Sequence, residues 1–449
     1  MVPQRTKSTP RSPTKTSAFV LHATSVVYPK IRWPEMRYNK NQFRERISLE
    51  KSYNILIVGG GIIGSSLAMA LAERGQKEIG VVDVDLSGRW SSSERNAGGV
   101  RAFWDQPVNI HLSSLSISFF EKISEVVGFH QKGYLWLHDQ AGWKTINKRI
   151  TKLKENGCEI AALSPVEIQQ RFPFLDRLNG ISGGTFSPRD GLINPNLLKN
   201  YYRDHASTEV DWIDRHRVKE VIIEEGRVRQ VRLQKILDEK DVGTFLKEGA
   251  SPDQGTVSEV EVRTLVNTSG AWAPSLAKLY GKELPSIPVR RQVSVMHCKG
   301  VDLSPYGMIV DTSGLYFHHE AGNILAGYSI PSEPAGVRFG DEGSNFFLQE
   351  IWPRLAERSS RFERLKYIGG WAGLYAISPD KSAIIGRVEG LTNLFEAHSF
   401  SGRGIMQSYA AGQALAERIL KGKYQMINLS SLSGDRFKER NLVPEGLHI

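Results

Sequence analysis

The residues placed to do chemistry begin at Gly59. Four apolar residues, Ile55 to Val58, run into Gly59-x-Gly61-x-x-Gly64. A helical stretch follows, Ser65 to Arg74, and a second apolar strand ends in Val81-Val82-Asp83. Strand, glycine turn, helix, strand and acid within about 30 residues is the spacing of a dinucleotide-binding βαβ unit. Gly59 permits the tight turn, Gly61 lets backbone approach a pyrophosphate, and Gly64 lets the helix lie close to the strand. The helix N-terminus, with Ile62 and Ile63, offers unpaired N–H groups and a dipole end of roughly half a charge to phosphates. Asp83 stands where a carboxylate accepts ribose hydroxyls. This turn alone does not separate NAD from FAD.

Other stretches suit the same ligand. Ser87 to Arg101 is long, polar and rich in Gly and Ser, the composition of a loop draped over a cofactor or of a flexible surface loop. A strand at Val260 to Val266 runs into Asn267-Thr268-Ser269-Gly270, which places small residues and backbone next to something bound. Near the C-terminus, Leu394 to Phe400 leads into Ser401-Gly402-Arg403-Gly404-Ile405 and a helix to Leu420, a second glycine turn at a helix N-terminus.

The elements that must position these turns are legible in outline. Periodicity predicts a helix over 109–127, a strand from Lys132 to His138 and a polar helix from Thr145 to Asn156. Another helix is expected after Ser164, with Pro165 in its first turn and Glu167 closing a capping box. Asp190 to Pro195 reads as a turn before a helix from Asn196 to Asp204. Residues 218–224 and 227–233 read as a hairpin, Lys240 to Glu259 as a polar loop, and Arg291 to Tyr328 as short antiparallel strands. Glu342 to Arg358 is expected to be helical and Tyr367 to Tyr375 a strand. A parallel sheet interrupted by an antiparallel one and then resumed implies two interleaved domains.

Composition excludes several classes. The chain has 449 residues and a formal charge of +10, but residues 1–50 hold ten Lys and Arg against three acids, leaving the rest nearly balanced. A nucleic-acid face is not indicated. No apolar run reaches the roughly 18 residues of a transmembrane helix. Cys158 and Cys298 lie in no motif, so no metal site or disulfide framework is expected, which suits a reducing, cytoplasmic compartment. The first 34 residues hold no acid, as in a mitochondrial transit peptide, yet five prolines would break its helix. A disordered basic extension over 1–51, or a start at Met36, is the competing expectation; a cleaved leader would place the protein in the mitochondrial matrix.

Taken in order, Gly59 to Gly64 with Asp83, Asn96 to Arg101, Asp190-Gly191-x-x-Asn194-Pro195, Thr268 to Trp272, Trp371 to Tyr375 with Pro379-Asp380, and Phe400 to Gly404 form a recognisable set. It resembles the FAD-dependent amine oxidoreductases of the D-amino-acid oxidase, glycine oxidase and sarcosine oxidase/dehydrogenase family, over about residues 52–440. Ile427 to Ser430 with Arg436-Phe437 is most similar to the sarcosine-dehydrogenase-related branch, which includes a mitochondrial FAD protein linked to respiratory complex I assembly. The resemblance implies an α/β fold, α+β overall. A glutathione-reductase-like Rossmann domain that binds FAD (52–103, 188–275 and 368–425) would be interleaved with an antiparallel-sheet substrate domain (104–187 and 276–367), and 426–449 would form a C-terminal tail. It implies that Gly59, Gly61, Gly64 and Asp83 hold the ADP half. Ser92, Ser93, Gly98, Gly99, Val100 and Arg101 would run beside the flavin. Val218 would meet adenine through its backbone, Ser269 and Gly270 the diphosphate, and Ser401 to Ile405 the pyrimidine end of the ring. N–H groups and a helix N-terminus there would stabilise the negative charge of reduced flavin, by about 0.3–2 kcal/mol from the dipole. Arg403 would add to this unless it is a surface side chain.

The resemblance further implies oxidation of the C–N bond of a primary or secondary amino acid, with a small amino-acid substrate, an unknown electron acceptor and possible partner subunits. Arg101 is the candidate to grip the substrate carboxylate; the alternative is a structural ion pair. Tyr316 and Tyr375 would point toward substrate and Trp371 would wall the pocket, or all three are core. Arg290 and Arg291 line the approach or brace the sheet. Three departures stand out. Gly373 replaces the cysteine that tethers FAD in monomeric sarcosine oxidases, so FAD is expected to be non-covalent. Leu325 replaces a lysine that promotes reaction with oxygen, which favours a dehydrogenase over an oxidase. Met406 replaces a carboxylate-binding lysine. A non-catalytic FAD-binding assembly factor and a 2-hydroxy-acid flavoenzyme are the competing functions.

Overall fold

The computed structural model describes residues 50–206, 210–249 and 255–446. Most of the basic extension therefore lies outside the described residues. The first described strand starts at Glu50, two residues before Ser52.

Strand β1 (Glu50–Val58) is apolar on both faces from Ile55 onward because neighbours cover both. It pairs in parallel with β2 (Ile79–Val82) on one side and with Val257–Asn267 on the other. Continuous apolar runs of this kind belong to parallel sheets buried between layers. The sheet runs Ile384–Arg387, Leu394–His398, Val257–Asn267, β1, β2, Val210–Ile213, and the hairpin His216–Glu224/Arg227–Lys235 adds to Val257–Asn267. Helix α1 (Ile62–Ala72) is buried almost all round. It packs against the helix Gly404–Lys421 so closely that a Cβ at Gly412 would lie 2.4 Å from Ser66 Oγ, and Ser66 Oγ donates to Ser408 O at 2.9 Å.

The second sheet holds eight strands, running Lys366–Ile377, Ile287–His297, Asn323–Tyr328, Tyr316–Glu320, Met308–Val310, Tyr134–His138, Gly183–Ser187 and Ala161–Leu163. It is antiparallel, as expected, except where Met308–Val310 runs parallel to Tyr134–His138. One face of this sheet packs Ile324, Ala326 and Met296 into a core beneath it; the other carries Leu325, Val293 and Tyr316. A short strand β3 (Gly99–Val100) pairs with Gly191–Leu192, and helix α2 (Pro107–Lys122) follows.

Three further expectations change. Lys240 to Glu259 is not a loop: Glu239–Glu248 is a helix, and a strand restarts at Val257. Val242 and Leu246 bury an apolar stripe against Ile236, Trp90 and Trp272. The surrounding charged residues hide that stripe in the sequence. The polar helix over 145–156 is two pieces, Gln140–Asn147 capped by Asp139 and Ile150–Glu155. The helix over 109–127 starts at Pro107 and breaks at Ile123. The capping box of Ser164 and Glu167 forms as expected. No helix among the described residues is long and apolar enough to cross a membrane.

Candidate active site

The first glycine turn is shaped by contacts that forbid side chains. Gly59 has φ +106°, and a Cβ there would lie 2.5 Å from Thr268 O. A Cβ on Gly64 would meet Gly59 O at 1.9 Å, so Gly64 sets the approach of α1 to the turn. Gly61 is different. Its Cβ would meet only Ser93 Oγ at 3.2 Å, leaving the space outside it for a ligand. Ser93 Oγ accepts from Ile62 N at 2.9 Å. Asp83 braces the turn, its Oδ2 accepting from Gly60 N at 2.6 Å and its Oδ1 from Asp85 N at 3.0 Å. Burial pushes the Asp83 carboxyl up to about 6, against the pull of those two N–H groups.

A cavity of about 570 Å³ opens along this turn, within the range of cofactor sites. Gly59, Gly61, Ile62, Ile63 and Asp83 line one stretch of it, and Ser92, Ser93, Val218, Ser269 and Gly270 line the next. Ser401, Gly402, Gly404 and Ile405 close the far end together with Tyr316 and Tyr375. The two distant glycine turns therefore face one space. The Ser87 to Arg101 loop is fixed rather than free. Ser92 Oγ donates to Leu374 O at 2.6 Å, Arg95 Nη1 to Ala372 O at 2.6 Å, and Trp371 Nε1 to Arg95 O at 3.0 Å.

Not every expected residue reaches the cavity. Gly64, Gly98, Gly99 and Val100 pack behind it: a Cβ on Gly98 would lie 2.5 Å from Ile193 O and one on Gly99 2.1 Å from Tyr134 Oη. Arg101 does not line it either. The residue is 3% exposed, its guanidinium carbon lies 3.7 Å from the Trp104 ring centre and 4.6 Å from that of Trp136, and Nη1 donates to Phe103 O. Arg403, 1% exposed, lies 4.7 Å from the same Trp104 ring, and its three guanidinium nitrogens have no hydrogen-bond partner. Burial pulls both arginines down to about 10. Trp371 and Met406 also stay out of the lining.

Of the two sheet arginines, Arg290 is a brace, paired with Glu333 and Glu342. Arg291 lines the cavity. Its Nη1 donates to Arg290 O, its Nε has no partner, and its Cζ stands 5.4 Å from the Tyr375 ring centre. Burial raises the phenols of Tyr316 and Tyr375, the first well above the usual range, so both are neutral donors at physiological pH.

Sequence reasoning missed Asp85 and His398, which also line the cavity. Asp85 Oδ2 is buried without a partner. His398 is held between Glu396, at 3.1 Å, and Ser399 Oγ, at 2.8 Å. Asp85 repeats the acid of Asp83 two positions on, a signal that was available; His398 carried none. Cys158 and Cys298 are buried free thiols.

The family model for FAD dependent oxidoreductases matches residues 54–418. The chain belongs to that family. It is 30% identical to FAD-dependent oxidoreductase domain-containing protein 1 of Xenopus laevis over 87% of this chain and 85% of that one. It is 26% identical to mitochondrial dimethylglycine dehydrogenase of Homo sapiens over 82% of this chain but only 42% of that longer one. Among solved structures, L-proline dehydrogenase from P. horikoshii superposes with a TM-score of 0.76 at 24% identity, covering 88% of this chain and all of that one. Glycine oxidase from Bacillus cereus superposes at 0.67 and 20% identity, covering 83% and 96%. This FAD oxidoreductase thus takes FAD as its cofactor, and the glycine cradle, unobstructed at Gly61 and bordered by free Asp85 Oδ2, fits it.

Proposed function

We propose that this chain is an amino-acid dehydrogenase that oxidises the C–N bond of a primary or secondary amino acid. When bound, FAD would supply the two-electron acceptor that lets the amine become an imine, which water hydrolyses. FAD is held without a covalent link at Gly373, where the chain has no side chain to offer.

The observation that carries the reading is Arg291. A guanidinium that lines the cavity with its Nε unpartnered suits a substrate carboxylate. This assigns to Arg291 the role first expected of Arg101. Tyr316 and Tyr375, held neutral, would donate hydrogen bonds to the same carboxylate or shield it from water. Neither phenol would serve as a base, so the substrate amine would arrive unprotonated. At the other end, backbone at Ser401 to Ile405 and the helix N-terminus would favour negative charge on the ring. Arg403 behind them, with no hydrogen-bond partner of its own, would add to that field. Asp83 and Asp85 would receive ribose hydroxyls, and Val218 would border adenine. Leu325 shares a sheet face with Val293 and Tyr316, so the position of the oxygen-promoting lysine is apolar; this favours a dehydrogenase. Glycine oxidase and dimethylglycine dehydrogenase, by their names, act on small amino acids, which supports the substrate class. An acid-free stretch over 1–34 and a relative named as mitochondrial support a matrix location as the alternative to a cytoplasmic one, a choice that fractionation decides.

The test is anaerobic addition of free and N-methyl amino acids to the yellow holoprotein. Bleaching by an amino acid is expected. Bleaching by a 2-hydroxy acid and by no amine would overturn the reading, and no bleaching by either class would favour the non-catalytic assembly factor.

A further inference from the structure

The last described residues are packed rather than trailing. Arg436 pairs with Asp380 at 2.8 and 2.9 Å in a buried site. Beyond it the chain crosses the Pro379-Asp380 turn. Val443 N donates to Asp380 Oδ2 at 3.0 Å, Ser382 Oγ to Val443 O at 2.6 Å, and Glu445 N to Asp380 O at 2.9 Å. This strap ends on α2. Gln106, the residue before that helix, makes no side-chain cap of its own. Glu445, 2% exposed, instead ties down the two residues ahead of the helix: its carboxylate accepts from Asp105 N at 2.9 and 3.1 Å, Gln106 N at 3.3 Å and Asn109 Nδ2 at 3.1 Å. Gln106 Nε2 donates to Pro444 O at 2.8 Å and Gly446 N to Asp105 Oδ2 at 3.0 Å.

What the strap holds is the segment from Arg101 to Gln106. Trp104 is its centre. The Trp104 Nε1 donates to Ser113 Oγ of α2 at 2.9 Å, and both the Arg101 and Arg403 guanidiniums stand against its ring. Two buried cations around one ring repel each other. Glu445 is an anion whose field acts on both, and an uncompensated buried charge is costly.

We propose that Glu445 is a positioning residue for the cofactor site: its carboxylate, accepting from Asp105 N and Gln106 N, seats Trp104, and so the Arg403 side chain of the second glycine turn, while its charge offsets the pair of arginines. The proposal rests on the reading of Arg403 as a source of positive field at the flavin. The two roles separate by substitution. Glu445→Asp keeps the charge but not the reach, so Arg403 loses its seat. Glu445→Gln keeps the reach but not the charge, so the positive field strengthens.

The probe is sodium sulfite, which adds to oxidised flavin, places negative charge on the ring and bleaches it. Titration of the holoprotein is expected to give weaker sulfite binding in Glu445→Asp and tighter binding in Glu445→Gln, each by about three- to tenfold, the size of coupling within one network. In an Arg403→Gln background both shifts should fall within about twofold. Shifts of the same sign, no shift, or shifts that persist in that background overturn the proposal. If Arg403→Gln moves sulfite binding and Glu445 does not, only this inference fails; if Glu445 moves it and Arg403→Gln does not, the reading of Arg403 fails and takes the inference with it. Should the wild type bind no sulfite, the flavin reduction potential against a reference dye gives the same test, falling in Glu445→Asp and rising in Glu445→Gln.

Discussion

Arg291 and Tyr375 are diagonal neighbours on adjacent antiparallel strands, the guanidinium carbon 5.4 Å from the ring centre, on the wall of the cavity that both glycine turns enter. Arg291→Gln is expected to remove the charge-assisted bonds to a substrate carboxylate, worth about 1.5–3 kcal/mol. That is roughly a 10- to 150-fold loss in kcat/KM, most of it in KM, with flavin content unchanged. Steady-state kinetics with a dye acceptor check it; an unchanged KM would return the carboxylate to another residue.

Gly61 and Gly64 should fail in different ways. A side chain at Gly64 collides with the Gly59 carbonyl, so Gly64→Ala is expected to give little folded protein. At Gly61 the first side-chain atom nearly fits and the rest enters the ligand space. Gly61→Val should therefore fold, with a melting temperature close to that of the wild-type apoprotein, and purify colourless. Full flavin in Gly61→Val would remove the first turn from the cofactor site.

Leu325 is 1% exposed on the sheet face that carries Tyr316. The wild type is expected to form little peroxide in air beside its turnover with an artificial dye. Leu325→Lys should raise the peroxide share, because a cation near the ring favours the superoxide-like charge that forms as oxygen is reduced. Fast peroxide formation by the wild type would show that apolar character at this position does not block the oxygen reaction.

Asp190 gives a prediction in pH. Burial pushes its carboxyl up to about 7, while Oδ1 accepts from Ala102 N at 2.9 Å and Oδ2 has no partner. In the unfolded chain it titrates near the usual 3.8. Between those values the folded state binds the extra proton, so this group's contribution to stability falls as pH rises from about 4 to 7 and then levels off. Asp190→Asn should lack that slope. Its melting temperature, compared with the wild type, should gain steadily over the interval; a constant difference across pH would refute the assignment.

The βαβ unit was readable because its constraints are local: each glycine is needed by atoms within a few residues or in the adjoining strand. The second glycine turn was readable for the same reason. Arg291 and Arg101 show where this ends. Which of them reaches the ligand depends on strand register and on how Trp104 and Trp136 fill the space around Arg101, and neither is encoded near the arginine itself. The helix at 239–248 was hidden because Lys240, Asp241, Lys247 and Glu248 flank a stripe of only a few apolar residues. The strap at Glu445 left no local trace, since its partners lie near residue 105.

The close contact of α1 with the helix Gly404–Lys421, through Ser66 and Gly412, has a consequence for biosynthesis. The chain emerges from the ribosome N-terminus first, so the nucleotide-binding turn is made long before the helix that buttresses it. Cofactor capture is thus a late event, completed only once the helix Gly404–Lys421 is synthesised and docked. Until then α1 exposes an apolar side, and an early stop anywhere before that helix discards the whole site rather than half of it.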